Sequence, residues 1–248
     1  MPEPSPGTAP DDALRAYATL YPDVAQAGSL RSALQAQADR DGHRLTVEPN
    51  SSPGWRRVAA QVTAGDRSAH VLMAAHTRSF TVSCWTGEVQ MADGSTDDLA
   101  EAAGAMDTWQ AGARLAELLA RRPFLHTWEL AEAHERGDAI PVRWRQLREH
   151  AASERSLARR HGPELKDLLE AAHAQPRLRA LSPGRSVHWL TFSRRAAPPI
   201  CRDLPRAAPI GDGRYRLRFA DGRLQETAGA AAAVTAIVEA LPDDALPA

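Results

Sequence analysis

Lysine and cysteine are nearly absent from this sequence. Lys166 is the single lysine among 30 basic residues, so the remaining cationic side chains are all arginine, a bias that marks a GC-rich genome at least as much as a function. The distribution of the arginines is therefore more informative than their number. Cys84 and Cys201 are the two cysteines, too few for a disulfide framework and without the Cys-x-x-Cys spacing of zinc or redox sites, which fits a reducing cytoplasm. No run approaches the roughly 20 apolar residues that span a bilayer, and the proline-rich start, Met1 to Pro10, lacks the basic and apolar regions of an export signal. The expectation is a soluble, cytoplasmic protein. Phosphate-loop, dinucleotide (Gly-x-Gly-x-x-Gly) and nucleophile-elbow (Gly-x-Ser-x-Gly) motifs are also missing, so nucleotide and hydrolase chemistry have no local support.

What is present is enough for a real core: 248 residues, 43% of them hydrophobic, with a formal net charge of −1. This length suits one large or two small domains, and a single composite domain over 11–248, after a flexible tail at 1–10, is the favoured reading. Short helices are expected at Asp11 to Leu20 and Ser29 to Arg40. From His43 to Met91 the hydrophobic period becomes two, with Val58, Ala60 and Val62, then Val71 and Met73, then Phe80, Val82 and Cys84, an antiparallel meander expected to end at Asp93-Gly94. A helical stretch follows: from Thr96 to before Pro123, Thr127 to Arg136, Pro141 to Arg159, and another opened by Pro163. Strands return at Val187 to Ser193 and in a hairpin, Arg214 to Phe219 with Arg223 to Thr227, turned at Asp221-Gly222. An alanine-rich helix near Ala228 to Ala240 closes the chain. Meander, helices, hairpin and helix in that order predict an α+β fold, with no βαβ alternation.

The charge distribution has one anomaly. Ala171 to Arg202 contains Arg177, Arg179, Arg185, Arg194, Arg195 and Arg202 with His173 and His188, and no Asp or Glu. In a chain so close to neutral, this stretch is a candidate anion site, since a guanidinium fork binds phosphate, sulfate or carboxylate and imidazole moves a proton near neutral pH. On a strand over Val187 to Ser193, His188 and Arg194 would bracket an apolar floor of Leu190 and Phe192, with Trp189 and Ser193 on the other face. An exposed strand that resists aggregation would look similar. Glu129, Glu132, Glu135 and Asp138 offer carboxylates for a general base, or simply a solvated helix face. Metal spacing fails: His70 and His76 would lie about 20 Å apart on a strand, and His126 and His134 about 12 Å apart on a helix. No metal or cofactor is expected. Arg214, Arg216 and Arg218 could extend a basic stripe, but a pI of about 6.8 and the absence of a helix-turn-helix, zinc finger or RNP pattern place nucleic acid below a small molecule or an acidic protein.

Several segments carry a family resemblance. They are Trp109-Gln110-Ala111-Gly112, Pro123-Phe124-Leu125, Glu129 through Asp138, Trp144 through Glu149, Leu169 through Ala172, Pro176 through Arg179, His188-Trp189, Phe192-Ser193-Arg194 and Asp212 through Arg216. In this order they resemble a family of actinobacterial proteins associated with natural-product (antibiotic) biosynthesis, and beyond it the aziridine-forming proteins of azinomycin-type pathways. The pattern departs at Ser182-Pro183-Gly184-Arg185-Ser186-Val187, where the family has an aromatic-rich turn. The resemblance implies a cofactor-independent cyclisation in which an amine displaces an anionic leaving group such as sulfate, on a substrate tethered to an acidic carrier protein, with a small protein partner. In that chemistry Arg177, Arg179 and Arg194 would hold the anion, Trp189 and Ser193 the substrate, and His188 or Glu132 would take the proton. The alternative is a non-catalytic accessory subunit of a heteromer, binding an acidic carrier or partner enzyme through the same basic surface.

Overall fold

The computed structural model describes residues 17–50, 55, 57–198, 200 and 203–245. The expected tail, most of the Asp11 to Leu20 helix, Cys201 and Arg202 lie outside them. The fold is α+β. The chain divides into two compact units, Met1–Glu132 and Ala133–Ala248, each with its own hydrophobic cluster.

In the first unit, α1 (Pro22–Ala27) and α2 (Leu30–Asp41) lead into a six-stranded antiparallel sheet. Its strands are β1 (Glu48–Pro49), β2 (Ala59–Ala64), β3 (Arg67–Met73), β4 (Phe80–Thr86), β5 (Val89–Thr96) and β6 (Leu125–His126), and each pairs with the next. Between β5 and β6 come α3 (Leu99–Gln110) and α4 (Leu115–Arg121). The period-two pattern puts Ala60, Val62, Ala69, Val71, Phe80, Val82 and Cys84 on one face, buried with Leu34 of α2 and Met106 and Trp109 of α3. Helix α3 presents Ala102, Ala103 and Ala105 to this core, and such small side chains bring a helix axis close to a sheet.

Two expectations change here. Strand β5 runs through Asp93-Gly94 instead of ending there, with Gly94 opposite Val82 on one side and Leu125 on the other. A Cβ at Gly94 would lie 2.1 Å from the Phe124 carbonyl oxygen, so this glycine serves close backbone approach and not a turn. Helix α3 is capped by Asp98, whose carboxylate accepts from the Ala100 N–H, and so begins at Leu99 and not at Thr96. It also stops at Gln110, with Gly112 at φ +91. Leu115 and Leu118 of α4 are then buried, and Ala116 is exposed.

Polar side chains lock the loops of this unit. The Tyr21 hydroxyl accepts from the Ser79 N–H at 2.9 Å and faces the carbonyls of Ala74 and Thr77 at 2.9 and 2.8 Å. Arg78 donates twice to Asp23, at 2.8 and 3.0 Å.

The second unit begins within α5 (Glu129–Arg136), which ends at Gly137, φ +84. Then come α6 (Ala139–Ala152), α7 (Glu154–Leu157), α8 (Gly162–Ala174) and α9 (Pro176–Arg179). The expected long helix from Pro141 to Arg159 is broken because Ser153 leaves helical geometry and its hydroxyl accepts from the Ser156 N–H, capping α7. A five-stranded antiparallel sheet follows, ordered β11-β10-β9-β8-β7. It comprises β7 (Ser182–Ser186), β8 (Trp189–Ser193), β9 (Arg206–Gly211), β10 (Arg214–Arg218) and β11 (Leu224–Ala228), and α10 (Ala230–Glu239) comes after it. Trp144, Leu168, Leu169, Phe192, Leu217 and Ile237 form its core. The indole N–H of Trp144 lies 3.1 and 3.0 Å from the carbonyls of Arg179 and Leu181, tying α6 to the end of α9 and the entry to β7.

Val187 and His188 are not in a strand. Ser186 pairs with Trp189, which leaves them as a two-residue turn with Val187 at φ +57. That is the position which glycine fills in a II′ connection. A valine in left-handed geometry costs about 1–2 kcal/mol, partly offset by the entropy that a glycine loses on folding, about 0.5–1 kcal/mol. We expect Val187→Gly to raise stability by about 0.5–1 kcal/mol in urea unfolding, and an unchanged or lowered midpoint would contradict the turn assignment.

Acid should weaken the first unit. The Arg78 hydrogen bond holds the Asp23 carboxyl below its ordinary value, against a smaller opposing effect of burial. Its contribution is complete above the unfolded value near 3.9 and is lost as pH falls through the depressed one. Asp23→Asn should therefore lower stability at neutral pH and flatten the acid limb of a melting-temperature profile below about pH 4. Parallel limbs in both proteins would show that the pair contributes nothing.

Candidate functional site

The second sheet has one buried face and one open face. Leu190, Ala207 and Leu217 are in register across β8, β9 and β10 and belong to the core. Alternation then puts Trp189 of β8, Arg206 and Ala208 of β9, Arg214, Arg216 and Arg218 of β10, and Leu224 and Glu226 of β11 on the opposite face. Four guanidinium groups and one carboxylate lie on this face of β9, β10 and β11. Glu226 pairs with both Arg214 and Arg216, the latter at 2.8 Å, and their hydrogen bonds keep its carboxyl below the usual range.

Arg206 and Arg218 are different. They sit directly opposite one another, and neither has an acidic partner among the described residues. Arg206 lies over the Trp189 ring, 5.1 Å from the centroid, and Arg218 is opposite Leu224, which is 60% exposed. Indole, two cations and an exposed leucine thus run across four strands. Like charges directly opposite destabilise a sheet, a cost that the contact of Arg206 with the Trp189 ring offsets in part.

The residues singled out in the sequence are distributed around this face. Trp189 belongs to it. Ser193 is on the same strand but only 2% exposed, and its hydroxyl accepts from the Arg195 N–H at 3.2 Å. Arg194 is neutralised, donating to Asp203 at 2.7 Å and to Asp244 at 3.4 Å through its carboxylate and 3.2 Å through its carbonyl. Arg177, on α9, donates to the Val238 carbonyl near the end of α10 at 3.3 Å, a favourable place for a cation at a helix C-terminus. Arg179 is exposed at the end of α9. His188 is exposed in the β7–β8 turn, its ring edge-on to His161 at 5.5 Å. The apolar floor expected between His188 and Arg194 is not open: Leu190 is 1% and Phe192 2% exposed, both in the core. Glu132 is exposed on α5 and falls in the first unit, whereas His188 and the arginines fall in the second.

His173 is disfavoured as a cation. Burial, with repulsion from Arg148 and Arg179, lowers its pKa, and its ring stands edge-on to Trp144 at 5.3 Å. Arg148 itself is taken up by Glu170 in a two-pronged pair, the closest approach being 2.6 Å. Among the described residues no group of three or more His, Cys, Asp or Glu side chains could hold a metal ion, and no helix is long and apolar enough to cross a membrane.

Sequence reading had the arginines of β10 but gave Arg206 no place, because β9 was not anticipated. The available signal was Asp212-Gly213, both residues with positive φ (54 and 65), the dipeptide of a I′ hairpin that pairs β10 with a preceding strand.

Residues 138–248 match the model of a family described as a family of unknown function (DUF6193). The match covers the second unit from Asp138 onward, including the arginine-bearing face, and none of the first. No curated protein and no solved structure matches the chain.

The ion pair of Arg194 generates its own test. The Arg194 hydrogen bond holds the Asp203 carboxyl below its ordinary value, so Arg194→Met should move its titration upward in carboxylate-detected NMR and speed amide exchange at Asp243–Ala245. No change in either would mean that Arg194 is not engaged there in solution.

Proposed function

We propose that this protein is a cytoplasmic accessory component of natural-product biosynthesis, which holds an acidic partner, such as a carrier protein, on the open face of its second sheet as part of a heteromeric assembly. The observation that carries the reading is the unneutralised pair Arg206 and Arg218, flanked by Trp189 and Leu224. Cations between apolar neighbours suit an acidic amphipathic surface: the arginines attract and orient carboxylates, and the indole and leucine supply area to bury. The biosynthetic setting rests on the sequence resemblance alone.

The ring-closing reading draws on other residues and has less support. Displacement of an anionic leaving group needs guanidinium donors free to meet developing charge. Arg194 is already held by two aspartates, and Arg177 is bonded to a helix-end carbonyl.

An acidic carrier protein and poly-L-glutamate serve as probes in isothermal titration. Binding should weaken about tenfold between roughly 50 and 300 mM salt, and Arg206→Glu with Arg218→Glu should abolish it, while Arg160→Glu, outside the sheet, retains it. Absence of binding at low salt, or equal binding by the double variant, overturns the proposal. Consumption of a carrier-tethered intermediate by the purified protein would restore the enzymatic reading.

A further inference from the structure

The first sheet also has an open face, and its character is opposite. Gln61, His70, Ser83, Asp93 and His126 are direct partners across β2 to β6 and so form one row on the face turned away from the helices. Beside this row lies a cleft of about 420 Å³ lined by Trp55, Trp85, His70, Leu72, Ser83 and Thr81 among others, with no Asp, Glu, Lys or Arg among the described residues of its wall.

Several polar groups of the cleft have defined partners. The indole N–H of Trp85 donates to the Ser83 hydroxyl at 3.1 Å, which leaves the hydroxyl proton to be donated elsewhere. His70 Nε2 is 3.3 Å from the Ser68 hydroxyl, and Nδ1 has no hydrogen-bond partner among the described residues. The His70 ring stands edge-on to Trp85, centroids 6.3 Å apart at 70°, which fixes both rings. Desolvation lowers the His70 pKa, which favours the uncharged ring with one donor and one acceptor.

We propose that this cleft binds a flat, uncharged heteroaromatic molecule of one or two fused rings, its faces against the indoles and its polar edge on His70 and Ser83. The volume lies within the range of small-molecule sites, and apolar walls with a few placed hydrogen-bonding groups are their usual make-up. Indoles favour ring stacking and edge contacts. A charged ligand would lose hydration without meeting a counter-charge among the described residues of the wall. The proposal is independent of the basic face of the second unit and concerns a different ligand.

Adenine, quinoline and indole are the neutral probes and naphthalene-2-carboxylate the charged comparator, observed by saturation-transfer NMR and tryptophan fluorescence on the full chain at pH 7.5. At least one neutral probe should bind saturably with Kd below about 1 mM, and the comparator at least about tenfold more weakly. Thr81→Arg, at an exposed position on the cleft wall, should weaken the neutral probe about tenfold without lowering the melting temperature, and His70→Ala should weaken it measurably. Arg206→Glu should leave it unchanged. Failure of all three neutral probes, binding that survives Thr81→Arg, or equal binding of the carboxylate would each overturn the proposal.

Discussion

A buried tryptophan whose indole N–H is satisfied by backbone carbonyls organises each unit. Trp109 is fully buried on α3 and donates to the Trp85 carbonyl of β4 at 3.1 Å. Arg67 of β3 stacks on its ring at 4.2 Å and donates to the carbonyls of Trp109 and Ala113 at the end of the helix. One side chain thus supplies apolar area, a donor and a platform for a cation, and that cation in turn closes the unsatisfied end of α3. Trp144 plays the corresponding part in the second unit, spanning α6, α9 and β7. Deleting either indole would leave a large void and orphan buried carbonyls, two of the costliest defects a core can carry.

The open faces inherit their geometry from these anchors. With one face of each sheet committed to helices, every second residue of each strand is turned outward, and its chemistry is free of the packing constraint. The two sheets use that freedom differently: the first turns out His70, Ser83, Asp93 and tryptophan, the second arginine. The Asp93 carboxylate on the first face has two neighbours, His126 at 2.6 Å and Gln90 at 3.1 Å.

The sequence was most legible where local chemistry and tertiary demand agree. Pro163 and the Asp221-Gly222 hairpin carry their own signals and reappear as the start of helix α8 and the β10–β11 pair. Strands β7 and β9 were not legible, since Ser-Pro-Gly-Arg-Ser and Arg-Ala-Ala-Pro-Ile-Gly have neither β-branched runs nor clean alternation. A proline is tolerated in β7 because it is an edge strand. Pro209 is tolerated in β9 because the pairing to β8 is confined to Leu190 with Ala207. The candidate site was obscured for a related reason. Within the window from Ala171 to Arg202, Arg194 meets two acids that lie beyond its end, Asp203 and Asp244, whereas Arg206, four residues past it, has no acidic partner among the described residues.

The remaining question is whether the basic face is more than protection against edge-to-edge pairing, which charged residues on a sheet provide. Such protection is needed on edge strands, here β11 and β7. The charge of β11 on the open face is an acid, Glu226, and it is consumed by Arg214 and Arg216. Arg206 and Arg218 lie on β9 and β10, which are flanked by strands on both sides, so their charge guards no edge. Two cations placed opposite each other on interior strands, one of them laid over a half-buried indole, repel one another, which supports the proposal that a negatively charged surface meets them.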